Sequence, residues 1–150
     1  MEGISAKILK ELLGTEKEMP ARPVSRGEQP VAADHWTRPI LLERAAYLAK
    51  LAKYGEGSAS EIIKEYPQHC VMLLFRSRDG EPEMDENFAH IFVVVDGNAT
   101  LVCGGATEGE VRYQLRAGDV AHVPAGQPHQ VLVRGENTIT CLVLKIQENV

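Results

Sequence analysis

Over residues 118–129 two glycines, a proline and a histidine fall at the spacing G-x5-P-x-G-x2-H, formed by Gly118, Pro124, Gly126 and His129. Gly118 and Asp119 read as a turn, residues 120–123 as a short strand and residues 124–128 as a tight bend, with His129 opening the next strand. Proline fixes φ, and glycine admits backbone conformations closed to other residues, so the bend is sharp and rigid. A histidine held at such a bend is a candidate metal ligand. A Pro/Gly hairpin that merely ends in histidine is an ordinary turn, so the rest of the chain has to decide.

The elements that would position this histidine change character along the chain. Ile4, Ile8, Leu9, Leu12 and Leu13 recur at helical spacing and Gly14 is a natural stop, which predicts a short amphipathic helix. Residues 15–39 are polar and carry Pro20, Pro23, Pro30 and Pro39, the composition of an extended arm. Residues 40–54 read as a helix with an apolar stripe of Leu41, Leu42, Ala45, Leu48, Ala49 and Ala52 and a stop at Gly55; residues 61–66 read as a short turn. From His69 the period becomes strand-like, with runs at 70–75, 90–95, 99–103, 111–115, 120–123, 131–133 and 139–146, and a short strand at 81–85. Turn signals such as Asp79-Gly80, Asp96-Gly97 and Gly104-Gly105 separate them. About eight closely spaced strands following the helices, rather than alternating with them, predict an all-β fold: an antiparallel jelly-roll barrel with N-terminal α-helices. The expected organisation is a helix and proline-rich arm over 1–38, a helical segment packing on the barrel over 39–67, and the barrel over 68–150.

Composition narrows the function. A chain of 150 residues suits one domain. A net charge of -5, a pI near 5.5 and the lack of a basic run argue against nucleic acid as a partner. No apolar run approaches the ~20 residues of a membrane span, and Lys7, Lys10 and Glu11 interrupt the N-terminus, so the expectation is a soluble, cytoplasmic protein with no membrane partner. Cys70, Cys103 and Cys141 have no CxxC spacing and sit among apolar or small residues, which predicts buried reduced thiols.

The Gly118–His129 spacing resembles the second signature of the cupin family, and the pattern extends over about residues 70–146. The family's earlier signature, G-x5-H-x-H-x3-4-E-x6-G, is degenerate here. With Gly97 as its closing glycine, His90 stands where the family has glutamate, Asp85 and Glu83 stand where it has its histidine pair, and Ser77 stands in place of the leading glycine. What the resemblance implies is a double-stranded β-helix whose metal ligands are permuted: Asp85, His90 and His129, with Glu83 as fourth ligand or general base, and Glu86 as the alternative for a shorter spacer. Glu83 and Asp85, one residue apart on a strand, project from one face. Two carboxylates and two imidazoles suit a divalent metal ion, iron, manganese or zinc. Against this, the cluster Glu81, Glu83, Asp85 and Glu86 has the composition of a solvated loop.

Phe92 and Val94 share parity with His90 and should line the same cavity. Gln127 and Gln130 flank His129 and could hydrogen-bond a ligand; His122 could line the cavity or a partner surface, and His35 and His69 read as non-ligands. The implied function is binding of a small organic ligand beside the ion, and a metal-dependent enzyme of small-molecule metabolism is one form of it. The alternatives are a non-enzymatic binding or sensing module with a remodelled, metal-free site, and a structural barrel. No residue is assigned a catalytic role, and no organic cofactor is implied. Both faces of residues 90–95 are apolar, so helices or a second subunit must cover one of them, and a homodimer is expected.

Overall fold

A computed structural model of the protein describes residues 33–105 and 109–148. The helix expected over 4–13 and most of the proline-rich arm lie outside these residues. The first element is α1 (Arg38–Ala52), where Thr37 caps by accepting the Ile40 N–H on its hydroxyl, and Pro39 sits in the first turn, where a missing N–H costs nothing. Leu41, Ala45, Leu48 and Leu51 are buried, three or four residues apart, and form the stripe that docks.

Seven strands follow among the described residues: β1 (Ser58–Glu65), β2 (His69–Arg76), β3 (Phe88–Cys103), β4 (Val111–Arg116), β5 (Val120–Val123), β6 (His129–Leu132) and β7 (Ile139–Gln147). Every pairing is antiparallel. Along the main path the order is β1-β2-β7-β3-β4, with β5 and β6 also pairing β3. This is the expected antiparallel barrel.

Two elements differ from expectation. The turn expected at 61–66 is instead part of β1, because Ala59 and Ile63 pack against α1 while Arg44 holds Glu61 at 2.9 Å. The sheet therefore starts ahead of residue 68. The runs at 90–95 and 99–103 are one strand rather than a hairpin, since Asp96 and Gly97 still pair with Thr140 and Ile139 of β7 across a register shift. Gly97 takes φ +82°, and a Cβ there would lie 2.0 Å from the Thr138 carbonyl oxygen. The chain thus bends without leaving the sheet. The first half of β3 runs between β7 and β5, the second between β4 and β6, so this one strand joins both walls of the barrel.

Side chains on the inner face, Leu74, Phe92, Val94, Leu101, Ile139 and Val143 among them, fill the barrel. On the outside, α1 covers β1, β2 and part of β3 through Leu48, Leu73 and Val95. Leu48 and Leu73 are fully buried, and each contributes about 2 kcal/mol of transfer free energy. The helix covers the Val95 end of the two-sided apolar strand, and Ile91 and Val93 beside it stay partly buried.

Candidate metal centre

Backbone register creates the first contact of the site. The Glu83 N–H donates to the His129 carbonyl at 2.8 Å, and the His129 N–H donates to the Glu83 carbonyl at 2.9 Å. Residues that exchange both bonds stand directly opposite, with side chains on one face. This isolated bridge is all that forms of the strand expected at 81–85. One turn away the Gly126 N–H donates to the Asp85 carbonyl at 2.8 Å, tying the acidic segment to the Pro/Gly bend. Gly118 and Gly126 both take positive φ, as the bend's spacing requires. On β3, His90 shares the inward face with Phe92 and Val94, and all three are buried.

The ligand atoms of Glu83, His90 and His129 lie within 4.8 Å of one another. The two imidazoles meet edge to face with centroids 5.3 Å apart, and Phe92 packs against both rings. His129 Nε2 is 3.9 Å from Glu83 Oε1, while Glu83 Oε2 is 3.9 Å from Arg76 Nη2.

Hydrogen bonds assign the ring protons. His129 Nδ1 lies 3.1 Å from the Gln127 carbonyl oxygen, which can only accept, so Nδ1 carries the proton and Nε2 keeps its lone pair. Asp85 is outside the three-residue cluster. Its Oδ2 lies 3.0 Å from His90 Nε2, and its Oδ1 accepts the N–H groups of Asn87 and Phe88 at 3.2 Å each. A proton on His90 Nε2 donated to Asp85 leaves the Nδ1 lone pair. Burial works to raise the Asp85 carboxyl, but the hydrogen bonds from His90, Asn87 and Phe88 outweigh it and hold the group below its ordinary value. Burial pushes His90 down, against the Asp85 hydrogen bond, and the charges of Lys145 and His129 act in the same direction as burial. A carboxylate and two imidazoles with lone pairs fit a divalent ion and leave coordination positions for water or a ligand.

These shifts give a signed pH dependence. The fold resists protonation of His90, so below the ordinary value of 6.5 the unfolded chain binds the extra proton and stability falls. The Asp85 contribution is present above 3.8 and is lost as the pH falls through its lowered folded value. The urea midpoint of chelator-treated protein should therefore decline from pH 8 to pH 5 and fall further below pH 4. A midpoint constant over the upper range would show that His90 titrates normally.

The remaining expected residues separate cleanly. Glu86 is exposed and outside the cluster, His122 is exposed on the outer face of β5, and His35 is exposed. His69 stacks on Tyr66 at 4.4 Å. The Gln130 amide donates to the Gly80 carbonyl at 2.8 Å, holding the loop before Glu83. Burial pushes the Cys141 thiol up to about 12 and raises Cys70 and Cys103 as well, so these thiols stay protonated.

Sequence reasoning missed Arg76 and Lys145, which line the same cavity as Glu83, His90 and His129. The signal was parity: Arg76 follows Met72 and Leu74, and Lys145 follows Cys141 and Val143, on faces that otherwise turn into the barrel. Gly80 accommodates Arg76, because a Cβ there would lie 2.9 Å from the guanidinium carbon. The cavity encloses about 40 Å³, room for an ion and a few water molecules.

No curated protein sequence matches the chain. Among solved structures it is similar to TT1209 from Thermus thermophilus, with TM-score 0.57 and 18% identity over 72% of this chain and 95% of that one. It is also similar to KdgF from Halomonas sp., with TM-score 0.52 and 19% identity over 62% and 82%. A third likeness is to the cupin domain of Schizosaccharomyces pombe Cnp3, with TM-score 0.51 and 13% identity over 61% and 60%. At such identities the likeness concerns the fold alone. Residues 76–145, which carry β3 to β6 and most of β7, match the family model described as the cupin domain, and the strands of this segment form a cupin-like barrel.

Proposed function

We propose that this cupin barrel holds a divalent metal ion through Glu83, His90 and His129 and binds a small organic ligand at the ion. The observation that carries this reading is the convergence of one carboxylate and two imidazoles within 4.8 Å, with hydrogen bonds that leave each ring a lone pair. Asp85, expected as a direct ligand, is assigned the orienting role behind His90, where a carboxylate fixes the ring and raises its basicity. Two histidines and one carboxylate suit iron, manganese or zinc. A bound ion of this class supplies Lewis acidity or, for iron, oxygen activation. The protein's own part is to leave a lone pair on each ring, fix their orientation and exclude bulk water with Phe92 and its apolar neighbours. A metal-dependent enzyme of small-molecule metabolism is the form of this function we favour.

One observation favours a second reading, a metal-free binding or sensing module: Arg76 lies 3.9 Å from Glu83 and supplies a positive charge without an ion. Elemental analysis of protein purified without an affinity tag separates the two. About one equivalent of iron, manganese or zinc is expected, removable by chelator, whereas ligand binding that a chelator leaves untouched supports the module.

We also propose a homodimer, because Ile91 and Val93 stay only partly buried beside the strip that α1 covers. Light scattering that returned a monomer mass at micromolar concentration would refute it. Three unpaired cysteines suit a reducing compartment, and the proposed location is the cytoplasm. Among the described residues no helix is long and apolar enough to cross a membrane.

A further inference from the structure

The charges around the cavity that are withdrawn from solvent pair off, with one left over. Glu83 has Arg76 at 3.9 Å, and Asp85 has the His90 ring at 3.0 Å. Lys145 lines the same cavity on β7, directly opposite His90 in the β3–β7 register, and its ammonium makes no ion pair among the described residues. The acid nearest to it in register, Glu65, is two strands away across Cys70, and Glu81 at the cavity rim is exposed. Met72, Leu74, Phe92, Val131 and Val143 form an apolar wall, and the one further polar side chain there, Gln130, is bonded to the Gly80 carbonyl. An amine that shares an apolar-walled cavity with a metal-ligand set favours a ligand that brings its own negative charge.

We propose that Lys145 is the anchor for a small carboxylate, so that the ligand class of this site is an organic acid whose carboxylate meets Lys145 while a neighbouring oxygen faces the Glu83, His90 and His129 cluster. The opposition of His90 and Lys145 across adjacent strands sets the two groups side by side, as a compact acid with an adjacent hydroxyl or carbonyl requires. The small cavity favours an acid of few carbons or one whose tail leaves through the mouth. The carboxylate anchor deepens the metal-site reading and rests on it for the second oxygen contact; the contact with Lys145 does not need the ion.

Calorimetric titration of glycolate, with ethylene glycol as its uncharged counterpart, tests this on manganese-loaded and on chelator-treated full-length protein. Glycolate should bind and ethylene glycol should not. Lys145→Met should weaken glycolate at least tenfold in either form while leaving metal content unchanged, and Lys145→Arg should restore most of the affinity. Met keeps the length and apolar stem of the side chain, and the Arg variant guards against a trivial folding defect. If Lys145→Met binds glycolate as the wild type does, or if no form of the wild type binds it, the carboxylate site is overturned and the metal reading stands on its own. If the wild type takes up no metal but binds glycolate through Lys145, the metal reading fails and the carboxylate site stands.

Discussion

Replacing His129 with alanine should remove almost all bound metal, whereas His35→Ala should leave it unchanged. His129 is one of three side chains that meet in the cluster, and its Nε2 lone pair is already freed by the bond from Nδ1 to Gln127. Structural metal sites with four ligands bind with ~10–16 kcal/mol, so one ligand of three accounts for roughly a hundredfold or more in affinity. Asp85→Asn acts through His90 and should cost less, about ten- to a hundredfold. The backbone bridge from Glu83 to residue 129 does not depend on the imidazole, so the variant should keep the register and fold. Metal content measured by elemental analysis, with circular dichroism as the control for folding, checks the order His129→Ala, Asp85→Asn, His35→Ala. Equal metal in the His129 and His35 variants would mean that the ion, if any, sits elsewhere and that the barrel is a metal-free module.

The parts of this site that the sequence made legible were those written as local spacing. The bend that ends at His129 appears in residues 118–129 alone, because its glycines and proline need nothing beyond the bend. The inward face of His90, Phe92 and Val94 follows from strand alternation, and the docking stripe of α1 from helical spacing. What was not legible depends on pairing between distant segments. Glu83 enters the cluster because two hydrogen bonds register it against His129, a pairing that the short strand expected at 81–85 did not itself specify. Counting along the motif ranked Asp85 ahead of Glu83, although parity sets both on one face. The difference arises in Asp85, whose carboxylate is drawn to its own backbone at Asn87 and Phe88 and to His90. The continuity of β3 was equally hidden, since Asp96-Gly97 has the composition of a hairpin turn and only its pairing with β7 keeps the chain in the sheet. Residues 61–66 read as a turn for a related reason: the strand character of β1 comes from packing under α1.

Gly97→Ala should destabilise the protein by about 3 kcal/mol or more, lowering the thermal midpoint by on the order of 10 °C, whereas Gly118→Ala should cost only about 1 kcal/mol. Both glycines have positive φ, +82° at Gly97 and +94° at Gly118, so the intrinsic cost of placing an L side chain in that region is common to both. Their surroundings differ. A Cβ at Gly97 would lie 2.0 Å from the Thr138 carbonyl oxygen and 2.9 Å from its carbon, while a Cβ at Gly118 meets nothing within 4 Å. The Thr138 carbonyl accepts the Asn98 N–H at 2.9 Å, so it cannot retreat without breaking a bond that holds β7 against β3. Relief of the clash would have to open the sheet at a strand that joins both walls of the barrel. His90 lies on that strand, so metal affinity should fall with stability in Gly97→Ala and stay near the wild-type value in Gly118→Ala. Urea denaturation of the two variants, with metal content measured on the same preparations, checks both parts. Equal losses of stability would show that positive φ alone sets the cost and that β3 accommodates a side chain at its bend.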